Sequence, residues 1–117
     1  MNSLCVVLRK PPYGSVDAAE AVRHALGGLT EDVEVKLLLV DGGVNVARKG
    51  QDTAGTAYAS VEEGIRDCIG MGAEVFADAL SLKVQVLSPD DVMDGVKIVD
   101  SLTISAIIRK SSQVMIF

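Results

Sequence analysis

Apolar and polar positions along this chain follow two rhythms. Five short runs rich in valine, isoleucine, leucine or aromatic residues read as β-strands: Leu4–Leu8, Val33–Val40, Glu74–Ala77, Val96–Val99 and Val114–Phe117. Each is flanked by turn or cap residues. In the second run, Leu37-Leu38-Leu39-Val40 carries no polar residue at alternate positions and then stops at Asp41-Gly42-Gly43. A strand with one wet face would alternate, so this one is expected to be covered on both faces, as strands of parallel sheets are. Asp-Gly-Gly allows a tight turn and a close backbone approach.

Between the strands the spacing becomes helical. Ser15 is placed to cap a helix running to about His24–Leu26, stopped by Gly27-Gly28, with Val16, Ala19, Val22, Ala25, Leu26 and Leu29 on one face. Ser60-Val61-Glu62-Glu63 is a capping box opening a helix that ends at Gly70-Met71-Gly72. A short helix is predicted over Asp78–Leu82. Ser88-Pro89-Asp90-Asp91 sets proline at a first helical position with acids in the first turn, and a last helix covers Leu102–Lys110. Lys83–Leu87 alternates like a strand but also fits a connection between helices, and Lys49–Ala57 is the most loop-like stretch. Strands alternating with helices predict an α/β fold: a single domain over residues 1–117, three layers, with a five-stranded, mainly parallel sheet in flavodoxin-like order.

Composition narrows the function classes. Hydrophobic residues are 49% of the 117 and charged residues 23%, enough for a core, and aromatics only 3%, so that core must be aliphatic. The net charge of −5 and the scarcity of stacking rings argue against nucleic acid or an anionic membrane held by a basic face. The opening apolar run is strand-length and soon reaches Arg9-Lys10-Pro11-Pro12. It is no signal peptide or span, and a cytoplasmic protein is the expectation.

In the flavodoxin-like order the ligand crevice lies outside the carboxyl ends of the first and third strands. Arg9–Ser15, Asp41-Gly42-Gly43 and Ala77-Asp78-Ala79 are expected to converge there, which makes Tyr13, Gly14, Asp41, Gly42, Gly43 and Asp78 the candidate ligand-binding residues. The plainer alternative is that the prolines and glycines turn the chain and Asp78 caps a helix. Three chemistries of this architecture lack their residues. A phosphoryl-accepting receiver needs an acidic pair after the first strand, where Arg9-Lys10 stands. A flavodoxin needs a hydroxyl-rich phosphate loop and aromatics. A dinucleotide site needs G-x-G-x-x-G after a strand, and none occurs. Cys5 falls inside the first strand, and Cys68 shares an apolar stripe with Val61, Ile65 and Ile69, so both read as packed small hydrophobes. His24 is the single histidine and reads as a solvated surface residue. No metal site of Cys/His type and no cofactor is expected.

Taken in order, several segments resemble the DsrE/DsrF-like family, which includes the TusBCD sulfur-relay subunits. The carriers are Pro12-Tyr13-Gly14-Ser15 with Ala18-Ala19-Glu20-Ala21, then Leu38–Val44, Phe76–Leu80, Leu87–Val99 and Ser112–Phe117. The nearest likeness in style is to the DsrF/TusC branch. The resemblance implies a flavodoxin-like domain that assembles into trimers or hexamers, as a homo-oligomer or with related sulfur-relay subunits. In the DsrE/TusD branch a cysteine near the end of the third strand carries persulfide sulfur. The matching window here, Val75-Phe76-Ala77-Asp78-Ala79-Leu80, has none, and Cys68 lies too far upstream to match. Asp78 would also raise the pKa of a thiol beside it. Three readings follow. The first is a non-catalytic or accessory subunit of a sulfur-relay (persulfide transfer) system. The second is a homo-oligomeric small-ligand-binding module with no sulfur chemistry. The third is an enzyme that uses Cys68 after all.

Overall fold

The computed structural model describes residues 2–117. Its strands are β1 (Ser3–Leu8), β2 (Glu34–Leu39), β3 (Glu74–Asp78), β4 (Val96–Val99) and β5 (Gln113–Ile116). Its helices are α1 (Asp17–Thr30), α2 (Val61–Gly70), α3 (Ala79–Val84) and α4 (Ser101–Lys110), with 3-10 segments at Asp41–Ala47 and Pro89–Asp91. The sheet runs β4-β3-β2-β1-β5 and every neighbouring pair is parallel. β1 and β2 lie inside it, which is why Leu4–Leu8 and Leu37–Leu39 are buried whichever way their side chains point.

The five-stranded parallel α/β fold is the expected one, but the strand order is not 2-1-3-4-5. An open parallel sheet must reverse its winding once to gain helices on both faces. In this chain the reversal comes after β4, so β1 lies between β2 and β5. The alternation of strand and helix in the sequence is the same for either order.

Layering follows from side-chain alternation along the strands. Leu4, Val6, Leu8, Leu37, Leu39, Val75 and Ala77 face α1 and α2, together with Ala18, Ala21, Val22, Val61, Ile65 and Cys68. The opposite face is smaller: Cys5, Val7, Leu38 and Phe76 meet Ile104 of α4, with Ile107 and Ile108 at its margin.

Several local expectations are corrected. α1 runs through Gly27-Gly28 to Thr30. A Cβ at Gly28 would sit 3.0 Å from Val35 Cγ2, a tight contact, so the glycine eases close approach to the sheet instead of ending the helix. The turn itself comes at Asp32, with φ +58°. The N-cap of α1 is Val16, which makes no side-chain cap bond, and Ser15 Oγ accepts only a 3.4 Å contact from the Asp17 N–H. The buried face of α1 is Ala18, Ala21, Val22 and Ala25, while Val16 and Ala19 are exposed. Lys83–Leu87 completes α3 and turns through Val86, at φ +58°, and forms no strand. The capping serine of α2 is as expected: Ser60 Oγ accepts from the Glu63 N–H. Asp100 does the same for α4 through the Thr103 N–H.

Candidate functional site

Because β1, β2 and β3 are consecutive in the sheet, the segments that follow them stand in a row along its carboxyl edge instead of facing each other across a crevice. The middle of the row is built around Gly43. A Cβ at that position would lie 2.0 Å from the Leu8 carbonyl oxygen, so only glycine lets the Asp41–Ala47 segment press against the end of β1. Gly42 has more room: a Cβ there would lie 3.3 Å from Arg9 O and 3.4 Å from Pro11 Cδ. Asp41 enters the turn at φ +50°, a left-handed conformation that aspartate tolerates better than most residues.

Asp41 is joined to Asp78 through a serine. The Asp41 N–H donates to Ser81 Oγ at 2.8 Å, and that hydroxyl donates to Asp78 Oδ2 at 2.7 Å. The Ser81 N–H donates to the same oxygen at 3.1 Å, and Ser101 Oγ donates to Oδ1 at 3.4 Å. Asp78 is therefore the buried N-cap of α3, the plainer of its two roles. Ser81 was missed by the sequence reading, although Asp-x-x-Ser at a strand-to-helix junction is a capping signal.

Tyr13 belongs to a second network. Its hydroxyl donates to Gln51 Oε1 at 2.7 Å and accepts from the Val61 N–H at 3.3 Å, and its ring meets Tyr58 edge-on at 5.5 Å. Gln51 Nε2 donates to the carbonyls of Val46 and Arg48, and its N–H donates to Glu62 Oε1. Glu62, buried on α2, holds Arg66 at 2.7 Å through its other oxygen. Tyr13, Gln51 and Glu62 thus anchor the loop before α2, and no local pattern marks Gln51 for that role. Gly14, at φ +98°, serves the turn and has open space around it. The six candidate residues are divided: Asp41, Gly42, Gly43 and Asp78 form one cluster, and Tyr13 and Gly14 border another.

Two cavities lie away from the Asp41–Asp78 cluster, the first of them reaching Val61 at the border of the Tyr13 network. One, of about 250 Å³, is an apolar groove between α1 and α2 lined by Val22, Leu26, Val61 and Gly64. The other, of about 400 Å³, lies at the amino end of the sheet among Ser3, Glu34, Lys36, Lys110 and Ser111. Among the described residues no three His, Cys, Asp or Glu side chains are placed to share a metal ion.

Neither thiol reaches the carboxyl edge in solvent. Cys5 and Cys68 are both completely buried. Burial raises the Cys5 pKa, only partly offset by a Ser111 hydrogen bond and the charge of Lys36. Burial, and after it the carboxylate of Asp67, pushes Cys68 up to about 11. At neutral pH that leaves about one Cys68 in ten thousand as thiolate, the form that attacks sulfur. Loss of stability at alkaline pH follows, with this sign. An unfolded cysteine ionises near its ordinary 9.0 while the folded one keeps its proton until about 11. The stabilising effect is thus complete below 9 and lost as pH rises through that window, by about 3 kcal/mol. Urea midpoints measured between pH 8 and 10.5 should fall less steeply for Cys68→Ala than for the parent. Parallel curves would contradict it. His24 is only half exposed: its ring stacks at a tilt on Phe117, centroids 5.3 Å apart, and Nδ1 lies 2.8 Å from the Glu20 carbonyl oxygen.

Comparison with known proteins gives a family match, two related sequences and one solved structure. The model of the DsrE/DsrF-like family matches residues 2–117. An uncharacterised protein of Methanopyrus kandleri is 33% identical over 117 residues, covering 100% of this chain and 95% of that one. The intracellular sulfur oxidation protein DsrF of Allochromatium vinosum is 28% identical over 124 residues, covering 93% of this chain and 91% of that protein. The crystal structure of the E. coli ychN protein superposes with a TM-score of 0.91 at 19% identity, covering 100% of each chain, a likeness of fold.

Proposed function

The chain belongs to the DsrE/DsrF-like family, and from that premise we propose that it is a non-catalytic, accessory subunit of a sulfur-relay system, without a sulfur-carrying thiol of its own. The supporting observation is the chemistry at the end of β3. Phe76 and Ala77 offer no nucleophile, and Asp78 is committed to the Ser81 and Ser101 bonds that start α3 and steady α4. The two cysteines lie elsewhere, buried and protonated. Persulfide transfer needs a thiolate that can reach its donor and later leave, and neither thiol meets that condition.

In this reading the ordered edge formed by Asp41-Gly42-Gly43 and Asp78, with Tyr13 and Gly14 beside it, is a shaped surface for a related, cysteine-bearing subunit. Such an assembly is expected to be cytoplasmic. No helix among the described residues is long and apolar enough to cross a membrane.

The test is mass spectrometry of the native protein after exposure to a persulfide donor, with alkylation of the same sample by iodoacetamide. The expected result is no added sulfur on Cys5 or Cys68, and labelling of both only after denaturation. Sulfur on either residue, or prompt labelling of the folded protein, would overturn the proposal. Capture of a cysteine-bearing homologous subunit by the tagged chain supports it. Recovery of a homo-oligomer with a bound metabolite would favour a ligand-binding module instead.

A further inference from the structure

The cavity at the amino end of the sheet is floored by a ladder of charges. Ser3 and Cys5 on β1 are in register with Glu34 and Lys36 on β2, and Lys36 with Glu74 on β3, so these side chains share the sheet face that carries α4. Lys36 donates to Glu34 Oε1 and lies 3.6 Å from Glu74 Oε1, and Glu74 Oε2 holds Lys97 at 2.7 Å. The end of α4 closes the other side with Ile107, Lys110 and Ser111. The enclosed volume, about 400 Å³, is that of a small-molecule site.

The ladder leaves one group of each sign to spare. Lys36 is half-buried on an inner strand and uses one of its three N–H donors on Glu34. Glu34 Oε2 takes no bond among the described residues. Lys110, from the opposite wall, pairs with no carboxylate among them. A simple anion would meet the Glu34 carboxylate beside the two ammoniums, and a simple amine would meet Lys36 and Lys110. A ligand with both charges on adjoining atoms avoids both conflicts. Lys36 and Glu34 are themselves a short ion pair. An ammonium and a carboxylate on one carbon, laid antiparallel to that pair, set each charge against its opposite.

We propose that this cavity binds an α-amino acid, its carboxylate on Lys110 and Lys36, its ammonium on Glu34, and its side chain along Ile107. Ser111 Oγ gives its proton to Ile107 O at 2.8 Å and keeps lone pairs free for the ligand ammonium. Ile107, half-buried, supplies an apolar wall for an aliphatic side chain. The site lies at the end of the sheet opposite the Asp41–Asp78 edge and asks nothing of either thiol. It therefore stands whether or not the chain serves a sulfur relay.

Amide resonances of the full chain, titrated with L-leucine, test the site. Saturable shifts are expected at Ser3, Lys36 and Ser111, with a Kd in the millimolar range or tighter, and none at Asp41 or Gly43. Isocaproate lacks the ammonium of leucine and isoamylamine lacks its carboxylate. Each should bind about tenfold more weakly or worse, the cost of one charged hydrogen bond. Lys110→Met and Glu34→Gln should each weaken leucine binding by a similar factor. A thermal melt confirms that each variant folds, and the two analogues on the parent protein decide the matter if one does not. Absence of saturable shifts with leucine, shifts confined to the carboxyl edge, an analogue that binds as tightly as leucine, or a folded variant with the parent's affinity would each overturn the proposal.

Discussion

Gly43→Ala is expected to destabilise this domain by more than about 3 kcal/mol, lowering its melting temperature by on the order of 10 °C or more. The added methyl group would sit 2.0 Å from the Leu8 carbonyl oxygen and 2.7 Å from its carbon, and both are backbone atoms of an inner strand that cannot swing aside. Either the Asp41–Ala47 segment lifts from the sheet, losing the 3.0 Å bond from the Val40 N–H to Leu8 O, or β1 shifts within its ladder. Both distort well-packed surroundings, and a small domain has only about 5–15 kcal/mol in total. Gly42→Ala is the control. Its nearest obstacle is at 3.3 Å, which a small shift of the loop relieves. Thermal unfolding followed by circular dichroism measures both variants. A Gly43→Ala protein within about 1 kcal/mol of the parent would show that the turn is not seated as described.

Asp78→Ala should cost about 2–3 kcal/mol. The substitution strips a helix N-cap, leaves the Ser81 N–H and hydroxyl without their acceptor in a buried place, and removes the longer contact from the exposed Ser101 hydroxyl. Its effect should travel. Ser81 also accepts from the Asp41 N–H, so that amide, protected in the parent, should exchange hydrogen faster in the variant. Asp78→Asn keeps a capping oxygen and should lose about half as much or less. Urea unfolding gives the stabilities, and amide exchange gives the link to Asp41. Unchanged exchange at Asp41 would mean that the two carboxyl-end turns are independent, and a loss below about 0.5 kcal/mol would mean that Asp78 is not the cap.

Much of the fold was legible in the sequence because it is written locally. Leu37-Leu38-Leu39-Val40 followed by Asp-Gly-Gly marks a buried strand and its exit, and Ser60-x-x-Glu63 marks a helix start. Long-range choices were less legible. The strand order depends on which crossover reverses, and the same alternation of elements serves both orders. Gly28 looked like a helix stop because its local chemistry is that of a stop; its reason is the nearness of Val35. Val16 and Ala19 fit a helical stripe, yet small Ala18 and Ala21 face the sheet, since α1 lies close to it. At the candidate site Gly42 and Gly43 were visible as backbone signals, whereas Tyr13 was drawn off by Gln51, a partner 38 residues away that no spacing rule names.

The pairing of Leu4 with Gln113 and of Val7 with Ile116 bears on how the protein is made. A nascent chain can assemble β1 to β4 and their helices in order while it is still being synthesised. Until residues 113–117 emerge from the ribosome, however, one flank of the apolar strand β1 has no neighbour. Such an unfinished sheet is open to wrong strands and to aggregation. Chaperone demand and losses to misfolding should therefore concentrate in the interval between the synthesis of β4 and the docking of β5 beside β1.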